Sequence, residues 1–416
     1  MTDWLKITKE QAIADFAEYI SPGKVRSYGL LGVKLVPGRR EGVRVWDLDG
    51  KSYINCRSSG GVFNLGHAPR EVREALLEAI AQGLDVGDHM LMSAARAALA
   101  KRLAELTPGD IHYTTFGAAG GEAVDFAIKL ARAHTGRPGI ISAKGGYHGH
   151  TGFALATGDD SFKQWFGPFP PGFRQVPFGD LAALDQAMDQ TTAAVIFETI
   201  PATYGITIPP PDFFPGARRL CDERGAVLII DEVQAGLGRT GRLWAIDEYG
   251  VVPDIMVLAK GLSGGYYPLS AACFRKPLGK FMEDHPFVHV STMGGSELGC
   301  VAGLVALNRF ADPEFLAHVR KMGERFGAGL SDILARHGSL LLEVRRKGLM
   351  IGLKHREDRH GFLMTSAMAK HGVIAIFSHN DVSVLQIMPP LIIAEAEVDE
   401  VLAAIEASYR DLEGLG

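Results

Sequence analysis

The chain alternates between short apolar runs that close on a polar residue and longer stretches whose apolar positions recur at helical spacing. Val227-Leu228-Ile229-Ile230 closes on Asp231, and Ile255-Met256-Val257-Leu258-Ala259 closes on Lys260. Runs of this length, rich in β-branched side chains and bounded by polar loops, predict strands covered on both faces. Ile140 to Ala143 is another, and the segment Ala193 to Gly205 contains one that ends at Glu198. Helical spacing appears in Lys9 to Ile20, in SAARAALAKRLAEL, and in EAEVDEVLAAIEASYRDL close to the C-terminus. Alternation in GVRVWDLDGKSYINC, Gly42 to Cys56, breaks at Asp49-Gly50 and predicts a hairpin, while VRRKGLMIGLKH reads as one strand of a C-terminal α/β unit. Strands interleaved with helices imply an α/β fold with an open, mostly parallel sheet.

In such a sheet the carboxyl ends of the strands border the ligand crevice, so Asp231 and Lys260 are candidates for one shared site. A lysine with an acid partner suggests Schiff-base chemistry on pyridoxal phosphate, in which the amine is the covalent anchor and a carboxylate keeps the pyridine nitrogen protonated. The same two residues, taken alone, read equally well as a buried ion pair without chemistry. Gly261-Leu262-Ser263-Gly264-Gly265, after the lysine, lets backbone approach a ligand closely. Upstream, a strand runs into Gly117-Ala118-Ala119-Gly120-Gly121 and a helix is expected to open at Glu122. Strand, glycine loop and helix in that order form a ready anion site, because free N–H groups and the positive helix end face the loop.

At 416 residues the chain is long enough for two domains, or for one large domain with a smaller one appended. A net charge of −5 offers no basic field for nucleic acid, and no stretch approaches the roughly 20 apolar residues of a membrane span. The start, MTDWLKITKEQAIADF, does not resemble a signal peptide. Cys56, Cys221, Cys273 and Cys300 lie far apart without CxxC or CxxH pairing, so neither a metal site nor a disulfide framework is expected, and a reducing, cytoplasmic setting is.

The ordered pair IIDEVQAGLGRTG and PDIMVLAKGLSGG resembles the signature of the class III, ω-amino acid type, pyridoxal-phosphate-dependent aminotransferases of fold type I. The resemblance implies a large domain with a mostly parallel sheet over residues 57–310, and a smaller α/β domain from residues 1–56 and 311–416. It makes Lys260 the residue that holds pyridoxal 5'-phosphate as a Schiff base, and Asp231 the partner of the pyridine nitrogen. Gly120 and Gly121 become a phosphate cup, Tyr147 of Tyr147-His148-Gly149 a stacking ring, Val233 the packing beneath it, and Gln234 a partner of the phenolic oxygen. Thr292, in Ser291-Thr292-Met293-Gly294, becomes a phosphate ligand delivered to the neighbouring subunit of a homodimer. Phe63 and Asn64 could border the substrate channel, Glu198 reads as a supporting rather than a catalytic acid, and Arg239 as loop architecture.

Three departures from the family pattern bear on function. Members commonly carry a hydroxyl residue where Gly121 stands, so one side-chain hydrogen bond to phosphate is lost, costing on the order of 1 kcal/mol. Where members have a second Glu after the strand end, this chain has Thr203, and where many have an Arg before the PPL motif it has Gln386. Glutamine offers neither charge nor fork, so an α-carboxylate is held far more weakly there. Loss of both partners together is physically coherent, since either ion left alone in a pocket is costly. The expected reaction moves an amino group from a small-molecule amine or ω-amino donor to a keto-acid acceptor, with Arg57 or Arg40 as an alternative carboxylate holder. An aminomutase or racemase on the same lysine is the alternative enzyme, and a non-catalytic cofactor-binding descendant the alternative outside catalysis.

Overall fold

The computed structural model describes residues 6–414. At its centre lies a seven-stranded sheet in the spatial order Ile111–Gly117, Ser270–Arg275, Ile255–Leu258, Val227–Asp231, Thr192–Glu198, Gly139–Ala143, Phe173–Val176. Five of these neighbour one another in parallel, whereas Ser270–Arg275 runs antiparallel to both strands beside it. The continuous apolar runs are explained by cover on both faces. Helix Gly120–Thr135 lays Val124, Ala127, Ile128 and Ala131 against Ala194, Ile196, Ile229 and Val257. On the opposite face, helix Phe213–Arg224 sets Phe213, Ala217 and Leu220 against Val195, Phe197, Leu228 and Ile230. Register then matters for chemistry: Glu198 lies directly beside Asp231, and Asp231 beside Val257, three residues short of Lys260.

Two four-stranded sheets flank this core. One joins the hairpin strands Arg44–Asp47 and Ser52–Asn55, with Pro37–Glu41 outside them, to the distant strand Val373–Ile374, which pairs in parallel with Ser52–Asn55. Gly50 carries φ of +84° in the hairpin turn, the conformation the Asp-Gly signal demands. The other contains Leu341–Lys347, Met350–His355, Val384–Ile387 and Ile376–Phe377. Here the expected single strand VRRKGLMIGLKH is two strands folded back at Gly348, whose φ is +54° and whose Cα sits so near the backbone of Thr240 that a Cβ would lie 2.5 Å from it. A turn at that point is dictated by a tertiary approach that the local pattern does not contain. The long helices Pro313–Arg336 and Glu395–Glu413 complete the C-terminal part. The N-terminal helix spans Lys9–Tyr19, one residue shorter than its apolar spacing predicts, and is started by the Thr8 hydroxyl accepting from the Gln11 N–H at 3.2 Å.

Candidate active site

A cavity of about 650 Å³ opens at the carboxyl end of the central sheet, lined among others by Gly120, Gly121, Tyr147, Asp231, Val233, Gln234 and Lys260. Seven of the eight residues named from the sequence thus face one space. The eighth, Thr292, is exposed and does not line it.

Lys260 is delivered by a backbone in the left-handed region, φ +49°, immediately after strand Ile255–Leu258. That conformation costs a non-glycine residue roughly 1–2 kcal/mol, and such strain gathers at functional sites. The tight turn Lys260–Ser263 is possible because Gly261 lies against the carbonyl of Gly61, where a Cβ would come within 2.8 Å of the oxygen. The Lys260 amine donates to Gln234 Oε1 at 2.8 Å, not to Asp231. Burial lowers its pKa below the ordinary lysine value, and the carboxylates of Asp231 and Glu198 offset part of that shift. Its reservoir of the neutral, nucleophilic form is correspondingly larger than that of a surface lysine.

Asp231 has its own partners. Oδ1 accepts from the Val233 N–H at 3.0 Å, and Oδ2 lies 2.9 Å from His148 Nδ1, both side chains being buried. Burial works against a charged imidazole at His148, but its bond to Asp231 and the fields of Asp231 and Glu198 prevail and raise its pKa. Glu198 accepts from the Tyr147 N–H at 3.0 Å and thereby fixes the loop that carries both Tyr147 and His148. Burial raises its pKa to about 7, with His148 pulling the other way and Asp231 adding to the rise.

The glycine side of the cavity is built by close approach. Helix Gly120–Thr135 opens two residues before the expected Glu122, after Ala119 in extended backbone that supplies no side-chain cap. The reason is that Glu122 folds back instead, its Oε2 accepting from the Ala118 N–H at 2.7 Å and leaving Gly120 and Gly121 inside the first turn. Those first N–H groups have no acceptor within the helix. Gly149, at φ +124°, packs on Gly121 so tightly that a Cβ on it would sit 2.7 Å from the Gly121 Cα.

The remaining candidates fall outside this cavity. Gln386 Nε2 donates to Ser378 Oγ at 3.1 Å, and the Thr203 hydroxyl is buried without a hydrogen-bond partner. Arg40, Arg57 and Phe63 line a neighbouring cavity of about 690 Å³ that meets the first at Gly265 and Tyr266. Asn64 is buried and accepts from Arg239 at 2.5 Å. Arg239 itself is wholly buried, donating further to the carbonyls of Leu349 at 3.0 Å and Pro389 at 2.6 Å, which is architecture as expected. Sequence reasoning missed Glu232, whose oxygens accept from the Thr199 hydroxyl at 2.5 Å and from the N–H groups of Ala245 and Ile246 at 2.9 Å each. It also missed the His148–Asp231 bond, which joins residues 83 positions apart and leaves no local signal.

Comparison with known proteins gives this arrangement its context. The model of the family described as Aminotransferase class-III matches residues 30–408. The chain belongs to the class III aminotransferases. An uncharacterized aminotransferase of Archaeoglobus fulgidus is 52% identical, over 94% of this chain and 92% of that protein. A putrescine aminotransferase of Pectobacterium atrosepticum is 33% identical, over 99% and 91% respectively. Among solved structures, the ornithine aminotransferase of Toxoplasma gondii superposes with a TM-score of 0.91 at 27% identity, over 100% of this chain and 98% of that one. An (S)-enantioselective ω-transaminase from Thermomicrobium roseum gives 0.88 at 29%, over 98% and 99%. The fold is therefore that of the fold type I transaminases, the protein is a pyridoxal-phosphate-dependent enzyme, and its reaction is amino transfer. The aminomutase or racemase alternative is not favoured. Among the described residues no helix is long and apolar enough to cross a membrane.

Proposed function

We propose that this aminotransferase takes its amino group from an amine or ω-amino donor rather than from a donor gripped by an α-carboxylate, and passes it to an α-keto acid. The observation that carries this reading is the pairing of Gln386 with Ser378 beside an unpartnered Thr203 hydroxyl, where a guanidinium and a carboxylate are absent together. The similarity to a putrescine aminotransferase supports it from a second direction.

The cavity fits pyridoxal phosphate on its own residues: an amine of depressed pKa, a buried carboxylate, and a glycine cradle that a Cβ at Gly149 would fill. When bound, that cofactor supplies an electron sink that lets the donor carbon release a proton. In this reading Lys260 is the anchor and the group that carries the proton at Nζ, for which it must be neutral near pH 7. Asp231 would pair with the pyridine nitrogen, with His148 on its other oxygen holding it in place. Gln234 orients Lys260 through Oε1, Gly120 and Gly121 would present N–H groups to the phosphate, and Tyr147 and Val233 would pack against the ring.

In the same proposal the enzyme is a cytoplasmic homodimer, and Thr292 serves the partner's cavity. Exposed Met92, Phe287 and Val288 around that segment support an interface, and four buried free cysteines suit a reducing compartment. Residues 1–56 and 311–416 would form one small domain, supported by the pairing of Val373–Ile374 with Ser52–Asn55. The test is a set of single half-reactions, with the cofactor's absorption followed as putrescine, other ω-amines and α-amino acids are added separately. Faster conversion by amines than by α-amino acids is expected, and the opposite order would overturn the donor assignment.

A further inference from the structure

Gly121 lacks the hydroxyl that the cofactor's cup would use, yet a hydroxyl from another residue lies close to where such a side chain would begin. An ideal Cβ on Gly121 would lie 2.8 Å from Thr151 Oγ1 and 3.6 Å from the Gly149 Cα. Thr151 lines the same cavity as Gly120, Gly121 and Lys260. The geometry points to Thr151 as the residue that supplies the phosphate hydroxyl from the neighbouring loop, an inference that rests on the pyridoxal-phosphate reading of this cavity.

The local hydrogen bonding explains why this threonine is available. Thr151 is the N-cap of helix Gly152–Thr157, and an N-cap hydroxyl ordinarily accepts from the second or third N–H of its helix. Here it makes no such bond. The third N–H, that of Ala154, donates instead to Asp125 Oδ1 at 2.7 Å. Asp125 stands one turn beyond Gly121 on the helix that opens the cup, so the bond that relieves Thr151 of capping also sets its helix against Gly121. Two absences then become one device. Glycine at 121 and glycine at 149 let the two backbones touch, and the contact brings Oγ1 within 2.8 Å of where a Cβ on residue 121 would stand.

The experiment titrates the apo-protein with pyridoxal phosphate, and separately with pyridoxal, which lacks the phosphate. Binding is read from the lysine-adduct absorption and from equilibrium dialysis. Thr151→Val, close in shape, is expected to weaken pyridoxal phosphate binding about five- to tenfold while leaving pyridoxal binding within about twofold. Thr151→Ser is expected to restore the wild-type value. Gly121→Ser combined with Thr151→Ala should recover most of the loss that Thr151→Ala alone produces, because the hydroxyl returns at position 121. Equal binding of pyridoxal phosphate by Thr151→Val and wild type overturns the inference, as does an equal loss for pyridoxal. Failure of the wild-type protein to bind pyridoxal phosphate would instead strike at the reading of the cavity, so the two failures are told apart.

Discussion

The two sides of the candidate crevice are built differently. On the side proposed for the cofactor, at the ends of the central strands, the acids and the lysine each meet a named partner: Lys260 with Gln234, Asp231 with His148 and Val233, and Glu198 with the Tyr147 backbone. Toward the small domain, Gln386 is satisfied by Ser378, Thr203 is left without a partner, and Arg40 and Arg57 stand in an adjoining space. Chemistry that does not change between substrates is held rigidly by buried bonds. Recognition that must change is left to residues whose replacement disturbs little.

The largest expected effect breaks the cofactor side outright. Lys260→Ala should lose turnover by roughly 10⁴-fold or more, since anchor and proton carrier go together, and borohydride should no longer fix the cofactor to the chain. Fixation surviving in that variant would displace Lys260 from its role. Next comes Asp231→Asn, which keeps the shape and removes the charge that faces His148 and, in the proposed role, the ring. A fall of about 10²–10³ in kcat/KM is expected, with a smaller change in KM, and steady-state kinetics check it.

Glu198 and Glu232 sharpen the comparison because both are held at about 7 mainly by burial, yet only Glu198 lines the cavity. A carboxyl whose folded pKa lies above its unfolded value binds more protons in the folded state. Its contribution therefore falls as pH rises from about 4.5 to 7, and folding stability from these two groups declines over that window. Glu232→Gln places an amide where one of three donors needs an acceptor, so unfolding in urea should come about 1–3 kcal/mol easier, with the pH slope reduced and the pH–rate profile unmoved. For Glu198→Gln the profile itself should change near pH 7. The smallest expected effect probes the substrate side. Gln386→Arg alone should lower stability and help α-amino acids little, while Thr203→Glu added to it should recover about 1 kcal/mol in a double-mutant cycle and raise kcat/KM for glutamate. Strict additivity of the two changes would show that these positions do not face a common site.

Much of this was legible in the chain. Apolar runs ending in Glu198, Asp231 and Lys260 announced the strands and the edge at which they end, because burial on both faces leaves a continuous pattern. The hairpin at Asp49-Gly50 was equally plain, since its turn demands positive φ. Most of what escaped notice depends on contacts between distant residues. The fold-back at Gly348 answers to the backbone of Thr240, and the His148–Asp231 bond joins residues 83 positions apart, whereas the helix start at Gly120 answers to a local fold-back of the Glu122 side chain. Thr151 is an omission of the distant kind: its neighbour Gly121 was read as a loss because the loop beside it lies 30 positions away.

Arg239 shows what such distant contacts do for the molecule as a whole. Its guanidinium is buried without an acid, burial pushing its pKa down to about 9; its two terminal nitrogens donate to Asn64, Leu349 and Pro389, while Nε is buried without a partner. An uncompensated charge of this kind is tolerable only when all three segments have already arrived. Arg239 thus links the packing of these three segments around one buried charge. Unfolding of this chain is therefore expected to run as one cooperative event, with loss of the crevice coinciding with loss of the fold.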